Sequence, residues 1–286
     1  MENDITLTSG FIINPNKSKI IIDGTYNNVK STYTNNLESL EKNVIKASTK
    51  NKEIILKNMN IISSSGYGVI YVPSHPNYSN VVVEYNNVNF TGIELSQNYY
   101  GTTKIIDSVI EVKDTNNVLA QRACDSNKVL IGGNTSINSS AVDKPVIFLN
   151  DVIPSTLKIM PNSKVTITTK EELMNGTNRL DLIVGHGAEF LLTTGNGFSI
   201  TTTHGARNVL IEEEAKFTFI ENNHQRVPMW SVFGDFIVKE NASLEIINTF
   251  MTTPTDNYNI YFKGTNQNFI LDNPKYVNIY TKNANV

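Results

Sequence analysis

The sequence predicts an all-β protein: a right-handed parallel β-helix of about ten coils, forming one domain over residues 1–286. Three observations carry that expectation. A short apolar triplet returns along the whole chain, the turn behind it keeps a constant length in the later units, and the composition favours strands and turns. The chain holds 40 Asn, 32 Ile and 28 Thr but only 9 Ala. Ala is the best helix former, whereas Ile and Thr prefer strands and Asn prefers turns. A mainly helical protein is excluded.

The triplets run Ile20-Ile21-Ile22, Ile54-Ile55-Leu56, Val81-Val82-Val83, Lys104-Ile105-Ile106 and Val129-Leu130-Ile131. They continue as Leu157-Lys158-Ile159, Leu182-Ile183-Val184, Val209-Leu210-Ile211, Phe236-Ile237-Val238 and Phe269-Ile270-Leu271. From Ile22 to Leu271 there are 249 residues in nine steps, about 28 each. That period belongs to stacked repeats. It is too short for a β-α-β crossover with a full helix at every step, and it suits one coil of a solenoid in which each coil pairs with the next. Ten coils at ~4.8 Å per step make a rod about 45 Å long. If the first and third members of each triplet point inward, the middle ones form an outward row of which nine in ten are apolar.

The second strand of each unit follows a turn. Ile159 to Val165, Val184 to Phe190, Ile211 to Phe217, Val238 to Leu244 and Leu271 to Val277 are all six residues apart. In three early units an Asn stands directly before that strand, in Asn28-Val29, Asn58-Met59 and Asn87-Val88. Asn tolerates the left-handed conformation of such turns, and its amide can bond to an Asn one coil away. Two stretches break the cadence. Asn35 to Lys46 places Leu37, Leu40, Val44 and Ile45 near helical spacing, and Lys170 to Met174 reads as one helical turn.

Net charge is −3, with 24 Lys+Arg against 27 Asp+Glu, so nothing neutralises a phosphate backbone and nucleic acid is not an expected partner. The lone cysteine, Cys124, excludes an intrachain disulfide and is expected as a buried structural thiol. No apolar run approaches the ~18 residues of a membrane helix, so membrane insertion is not expected. The chain opens on strand-like Ile5-Thr6-Leu7-Thr8 with no signal sequence, which reads as a piece of a longer protein. A monomer is expected.

Ile13-Asn14-Pro15-Asn16-Lys17, Ile22-Asp23-Gly24 and Leu56-Lys57-Asn58-Met59-Asn60-Ile61, with a later echo in Gly132-Gly133-Asn134, resemble the pectate-lyase-like adhesive domain of Gram-positive bacterial surface proteins. The resemblance covers residues 4 to 220 with decreasing clarity. It implies a right-handed β-helix held outside the cell in association with the wall, serving in attachment to glycans or to host matrix and surface molecules. It supplies no catalytic residues.

The fold also hosts lyases and glycosidases, so it does not decide activity. Polygalacturonase-type hydrolases resemble one another in an Asp-Asp pair, a Gly-His-Gly and an Arg-Ile-Lys. Here Gly185-His186-Gly187 is present without the other two, and reads as a six-residue turn that needs glycine. A calcium-dependent lyase needs carboxylates in register on neighbouring coils. Only Glu84 and Asp107 fall so, and they read as a solvated acidic edge, so no cofactor is expected and calcium is not supported. Two stretches suit a sugar, which packs its C–H face on a ring and needs polar partners. One is the Ile220–Trp230 loop, with His224, Arg226 and the only Trp, Trp230; its Arg suits a uronate or sialate carboxylate. Trp230 itself reads rather as a core plug at the start of the next coil. The other is a tyrosine set, Tyr67, Tyr71, Tyr78, Tyr85, Tyr99 and Tyr100, with Tyr99-Tyr100-Gly101 expected in a loop. The leading reading is a non-catalytic adhesin module; a polysaccharide lyase or hydrolase and a structural spacer are the alternatives.

Overall fold

The computed structural model describes residues 4–7, 10–35, 44–49, 51–115, 119–149, 155–175, 180–195, 206–222, 230–249, 259–263 and 265–281. Inward side chains recur at every second position of each strand, as in the buried–intermediate alternation of Leu180–Val184, so apolar residues of successive coils fall above one another. The result is a parallel β-solenoid, and the strand ladder joins each coil to the next rather than to its sequence neighbour. The rungs outnumber the closed circuits: the chain closes about eight turns, slightly fewer than the ten expected.

The column that fixes the repeat is read from the strand register. Ile22 pairs with Leu56, Leu56 with Tyr85, Tyr85 with Ile105 and Ile105 with Ile131. It continues through Ile159, Val184, Ile211, Val238 and Leu271. Eight of the ten triplets therefore place their third member as expected, and two do not. Val83 stacks on Ile54, and Ile105 rather than Ile106 faces the core. The occupant sequence patterning passed over is Tyr85, fully buried with its hydroxyl donating to the Leu95 carbonyl at 2.9 Å. A buried phenol is tolerable because that bond offsets its desolvation.

The same shift changes the outward row. In register it runs Ile21, Ile55, Glu84, Lys104, Leu130, Lys158, Ile183, Leu210, Ile237 and Ile270, so three of ten positions are charged. Glu84 faces Lys104 at 3.7 Å, and Lys158 faces Glu212 at 3.6 Å. Glu84 and Asp107 thus have separate tasks and make no shared acidic edge. Asp107 accepts the Asn134 backbone N–H at 2.8 Å, bracing a corner.

The corner between the first and second strands is a column of left-handed residues: Asn58, Asn87, Asp107, Gly133, Asn162, Gly187, Glu214, Asn241 and Asn273 all have φ between 49° and 64°. Glycine is required at Gly133, where an added Cβ would lie 2.1 Å from the Asp107 carboxylate. The Asn87 amide donates to Asn58 Oδ1 at 2.9 Å, and Asn58 donates to Asp23 at 3.1 Å. The expected ladder exists for two of its three members. Asn28 is not a rung: Asn27 and Asn28, both at positive φ, close a small hairpin between Thr25–Tyr26 and Val29–Lys30. Gly185-His186-Gly187 sits in this corner column, with Gly187 at φ 64° and its N–H donating to the Glu213 carbonyl at 3.0 Å.

Of the two expected helices, the one over Lys170–Met174 is not seen, and the other falls largely outside the described residues. Residues 36–43 lie outside the described residues, and Ile45–Lys46 is a strand. Lys170–Met174 is not helical: it bends into the strand Met174–Asn175, which pairs with Ile147–Leu149. Pairing with the coil before it outweighs the local helical propensity of Lys-Glu-Glu-Leu-Met.

In the later coils the core is aromatic. Phe190 stacks on Phe217 with ring centroids 4.9 Å apart, a contact worth ~0.5–1.5 kcal/mol beyond its buried area. Trp230 is fully buried, with Phe217, Phe219 and Phe236 edge-on around it at 5.8, 5.7 and 5.2 Å.

Candidate functional site

The third face of the solenoid carries a cleft between two neighbouring coils. Ser96, Gln97 and Asn98 pair in register with Cys124, Asp125 and Ser126. Alternation turns Ser96 and Cys124 inward, so Gln97 and Asp125 lie side by side on the outer surface. Two residues before the start of each strand, Glu94 and Arg122 occupy equivalent levels of adjacent coils, at a corner where Gln121 N–H donates to the Ile93 carbonyl at 3.0 Å. From the coil before, Gly68 comes against Ser96 so closely that a Cβ would lie 2.8 Å from its Cα; with φ at +76° the position demands glycine. That approach sets Gly66 and Tyr67 at the rim. The cleft has a volume of about 420 Å³ and is lined by Gly66, Tyr67, Glu94, Gln97, Gln121, Arg122 and Asp125. Small-molecule sites span about 300–1,000 Å³.

Its electrostatics are closed in one part and open in another. Arg122 Nη1 donates to Asp125 Oδ1 at 2.9 Å, and Gln97 also hydrogen-bonds the Asp125 carboxylate. Burial pushes the Asp125 pKa up, and Arg122 opposes the rise. Glu94 is only 3% exposed. Burial first, then the negative charge of Asp125, raises its pKa well above the usual carboxylate range, with Arg122 again opposing. Its Oε1 is buried with no hydrogen-bond partner, and so is Oε1 of Gln97. A buried oxygen without a partner costs about 1–3 kcal/mol, so the fold carries a penalty here that a bound hydroxyl would relieve. The Tyr67 ring meets the Tyr71 ring edge-on at 5.4 Å, and Lys46 lies over Tyr71 at 5.9 Å.

The structure separates the residues singled out from sequence. Tyr99 and Tyr100 are not in a free loop: they bulge out of the strand Ser96–Ile106, where the register jumps between Asn98 and Thr102. Their rings meet edge-on at 5.3 Å and are half-buried. The bulge is held by the buried Asn98 amide, which donates to the Thr102 and Val81 carbonyls at 2.9 and 3.2 Å. The tyrosine set is therefore no single groove. Tyr85 is core, Tyr67 lines the cleft, and Tyr99 and Tyr100 stand apart from its lining. Trp230 is sealed among phenylalanines and offers no face to a ligand. His224 and Arg226 lie outside the described residues.

Glu94, Gln97, Arg122 and Asp125 were passed over in the sequence. A signal existed for three of them. Glu94 interrupts the apolar Ile93 and Leu95, and Arg122 and Asp125 flank Ala123-Cys124, a buried pair. Charges in an apolar stretch are expected to be paired or functional. Cys124 is fully buried and its thiol pKa is pushed far up by burial, as a structural thiol should be. Among the described residues no three His, Cys, Asp or Glu side chains are grouped to hold a metal ion. A second depression of about 300 Å³ lies on another face, over the outward row Lys164, Glu189 and Lys216.

Fold and site together define a parallel β-solenoid with a polar cleft on its flank. No protein-family profile and no curated protein matches the chain. Among solved structures, it is similar to the L. reuteri 53608 SRRP, a serine-rich repeat protein, at a TM-score of 0.48 and 14% identity over 97% of this chain and 92% of that one. That likeness assigns neither a ligand nor an activity to this chain.

Proposed function

We propose that the chain is a non-catalytic binding module of a cell-surface adhesin, and that it attaches to carbohydrate. One observation carries the reading: the cleft brings buried, unsatisfied polar atoms of Glu94 and Gln97 together with the Tyr67 ring, the combination a sugar needs. The residues that resemble pectate-lyase-like adhesive domains lie in and around the early coils that build this cleft. Tyr99 and Tyr100, on the strand that carries Gln97, offer a separate aromatic surface outside the cleft lining. A glycan and matrix-protein array probed with the purified chain tests the reading. Saccharide ligands whose binding falls on Tyr67→Ala are expected; binding to no saccharide at all would leave a spacer.

A second reading has one observation in its favour. A carboxyl kept protonated beside a carboxylate is the pairing that glycoside hydrolases use, and Glu94 beside Asp125 has that character. Against it, Asp125 is tied to Arg122 and Gln97 and is not turned free toward a substrate. Incubation with oligosaccharides, followed for new reducing or unsaturated ends, separates the two.

A further inference from the structure

We infer that the cleft at Glu94, Gln97, Arg122 and Asp125 is selective for an uncharged, hydroxyl-rich sugar over an acidic one, with Glu94 and Gln97 as the residues that read it. The inference rests on the carbohydrate reading above and goes beyond it by naming the ligand class.

The argument is an inventory of charge and hydrogen-bonding capacity. Arg122 is the cation of the cleft lining; its Nη1 is bonded to Asp125 at 2.9 Å, and Lys144 also acts on that carboxylate. An acidic sugar entering here would meet the Asp125 carboxylate and have to break that pair, a costly step for charges mostly withdrawn from water. The amide of Gln97 is oriented by its own bond to Asp125, which leaves Gln97 Oε1 as a buried acceptor without a donor. Burial and the Asp125 charge raise the Glu94 pKa well above the usual carboxylate range, which favours the neutral acid, a group with both a donor and an acceptor. Adjacent hydroxyls of a neutral sugar match that set: one donates to Gln97 Oε1, and its neighbour donates to Glu94 Oε1 or accepts from the Glu94 carboxyl. Tyr67 supplies a ring for the sugar's apolar face. Sites built to satisfy buried polar groups discriminate strongly against ligands that leave them unpaired.

The test is calorimetric titration of the chain with neutral oligosaccharides (glucan-, mannan- and galactan-derived) and with acidic ones (polygalacturonate- and heparin-derived). A neutral sugar is expected to bind at least about tenfold more tightly than any acidic one. Glu94→Ala and Gln97→Ala are each expected to weaken it about tenfold, the scale of a lost buried hydrogen bond. Glu94→Gln keeps the shape, the neutrality and both hydrogen-bonding roles, and is expected to stay within about threefold. Thermal melts confirm that each variant is folded, and Glu94→Gln serves if Glu94→Ala is not. Acidic sugars binding as tightly as neutral ones, unchanged affinity in both alanine variants, or a tenfold loss in Glu94→Gln overturns the inference while the carbohydrate reading survives. Binding of neither class overturns both.

Discussion

Trp230→Ala should remove the largest plug of the later core. The indole is fully buried and surrounded by Phe217, Phe219 and Phe236, each within 5.8 Å centroid to centroid. A buried aromatic side chain removes about 150–250 Å² from water, which at ~25 cal/mol per Å² amounts to about 4–6 kcal/mol as an upper bound. Loss of the edge-on contacts adds to this, and partial collapse of the three phenylalanines into the void subtracts. The expected net cost is about 3–5 kcal/mol. In a solenoid each layer leans mainly on its neighbours, so the loss should be local. Urea unfolding followed by circular dichroism reads the total. Amide hydrogen exchange in Lys216–Glu221 and Phe236–Val238 should accelerate far more than in Glu53–Ser63. Trp230→Phe, which keeps a ring in place, should recover most of the loss. A cost under about 1 kcal/mol, or uniform acceleration along the chain, would refute the layered-core argument. So would a native tryptophan emission readily quenched by iodide.

Asn87→Gly is expected to cost the hydrogen bonds to Asn58 and from Lys30, about 1–2 kcal/mol together, whereas Asn87→Ala should cost a further ~1–2 kcal/mol for holding φ near 54°; equal melting temperatures for the two would remove the left-handed corner as the cause. Glu94 gives a pH dependence with a definite sign, in surroundings that include Arg122, Asp125, Lys144 and Cys124. Its folded pKa is raised, so below about pH 4.5 it is protonated in both states and its contribution is whole. As pH rises the unfolded chain sheds the proton first, and folded stability falls until the folded pKa is passed. Glu94→Gln should therefore out-melt the native chain by a margin that opens above pH 4.5 and then levels; a constant margin would contradict the assignment. Cys124 should react with a thiol reagent only after denaturation, and fast native labelling would show that it is not buried as described.

The register of the cylinder was legible wherever the apolar triplet coincided with an inward–outward–inward pattern, as at Leu182-Ile183-Val184. It was misread at Val83 and Ile106 because the apolar triplet is out of phase with the column there: Val83 is inward but lies one inward position before Tyr85, and Ile106 lies one residue past Ile105. There the inward positions fall to Tyr85 and Thr103, residues that patterning counts as half-polar, and the pairs Val82 and Ile106 face outward instead. Asn58 and Asn87 announced their corners, but the same corner is turned by Asp107 and Glu214, whose identity carries no such signal. The cleft was illegible for a different reason. Glu94 and Arg122 are 28 positions apart and become neighbours only once the coil height is known. Nothing local distinguishes Glu94 from a solvated charge until the neighbouring coils are seen to close over it.

The circuit from Tyr85 to Ile105 takes 20 residues and that from Ile22 to Leu56 takes 34, yet both ends land on the same column. Excursions between rungs are thus decoupled from the stacking that keeps the cylinder standing. Insertions and deletions at the rim can resculpt what the molecule grips while leaving its foundations untouched, so descendants of this architecture are free to diverge in taste long before they diverge in shape.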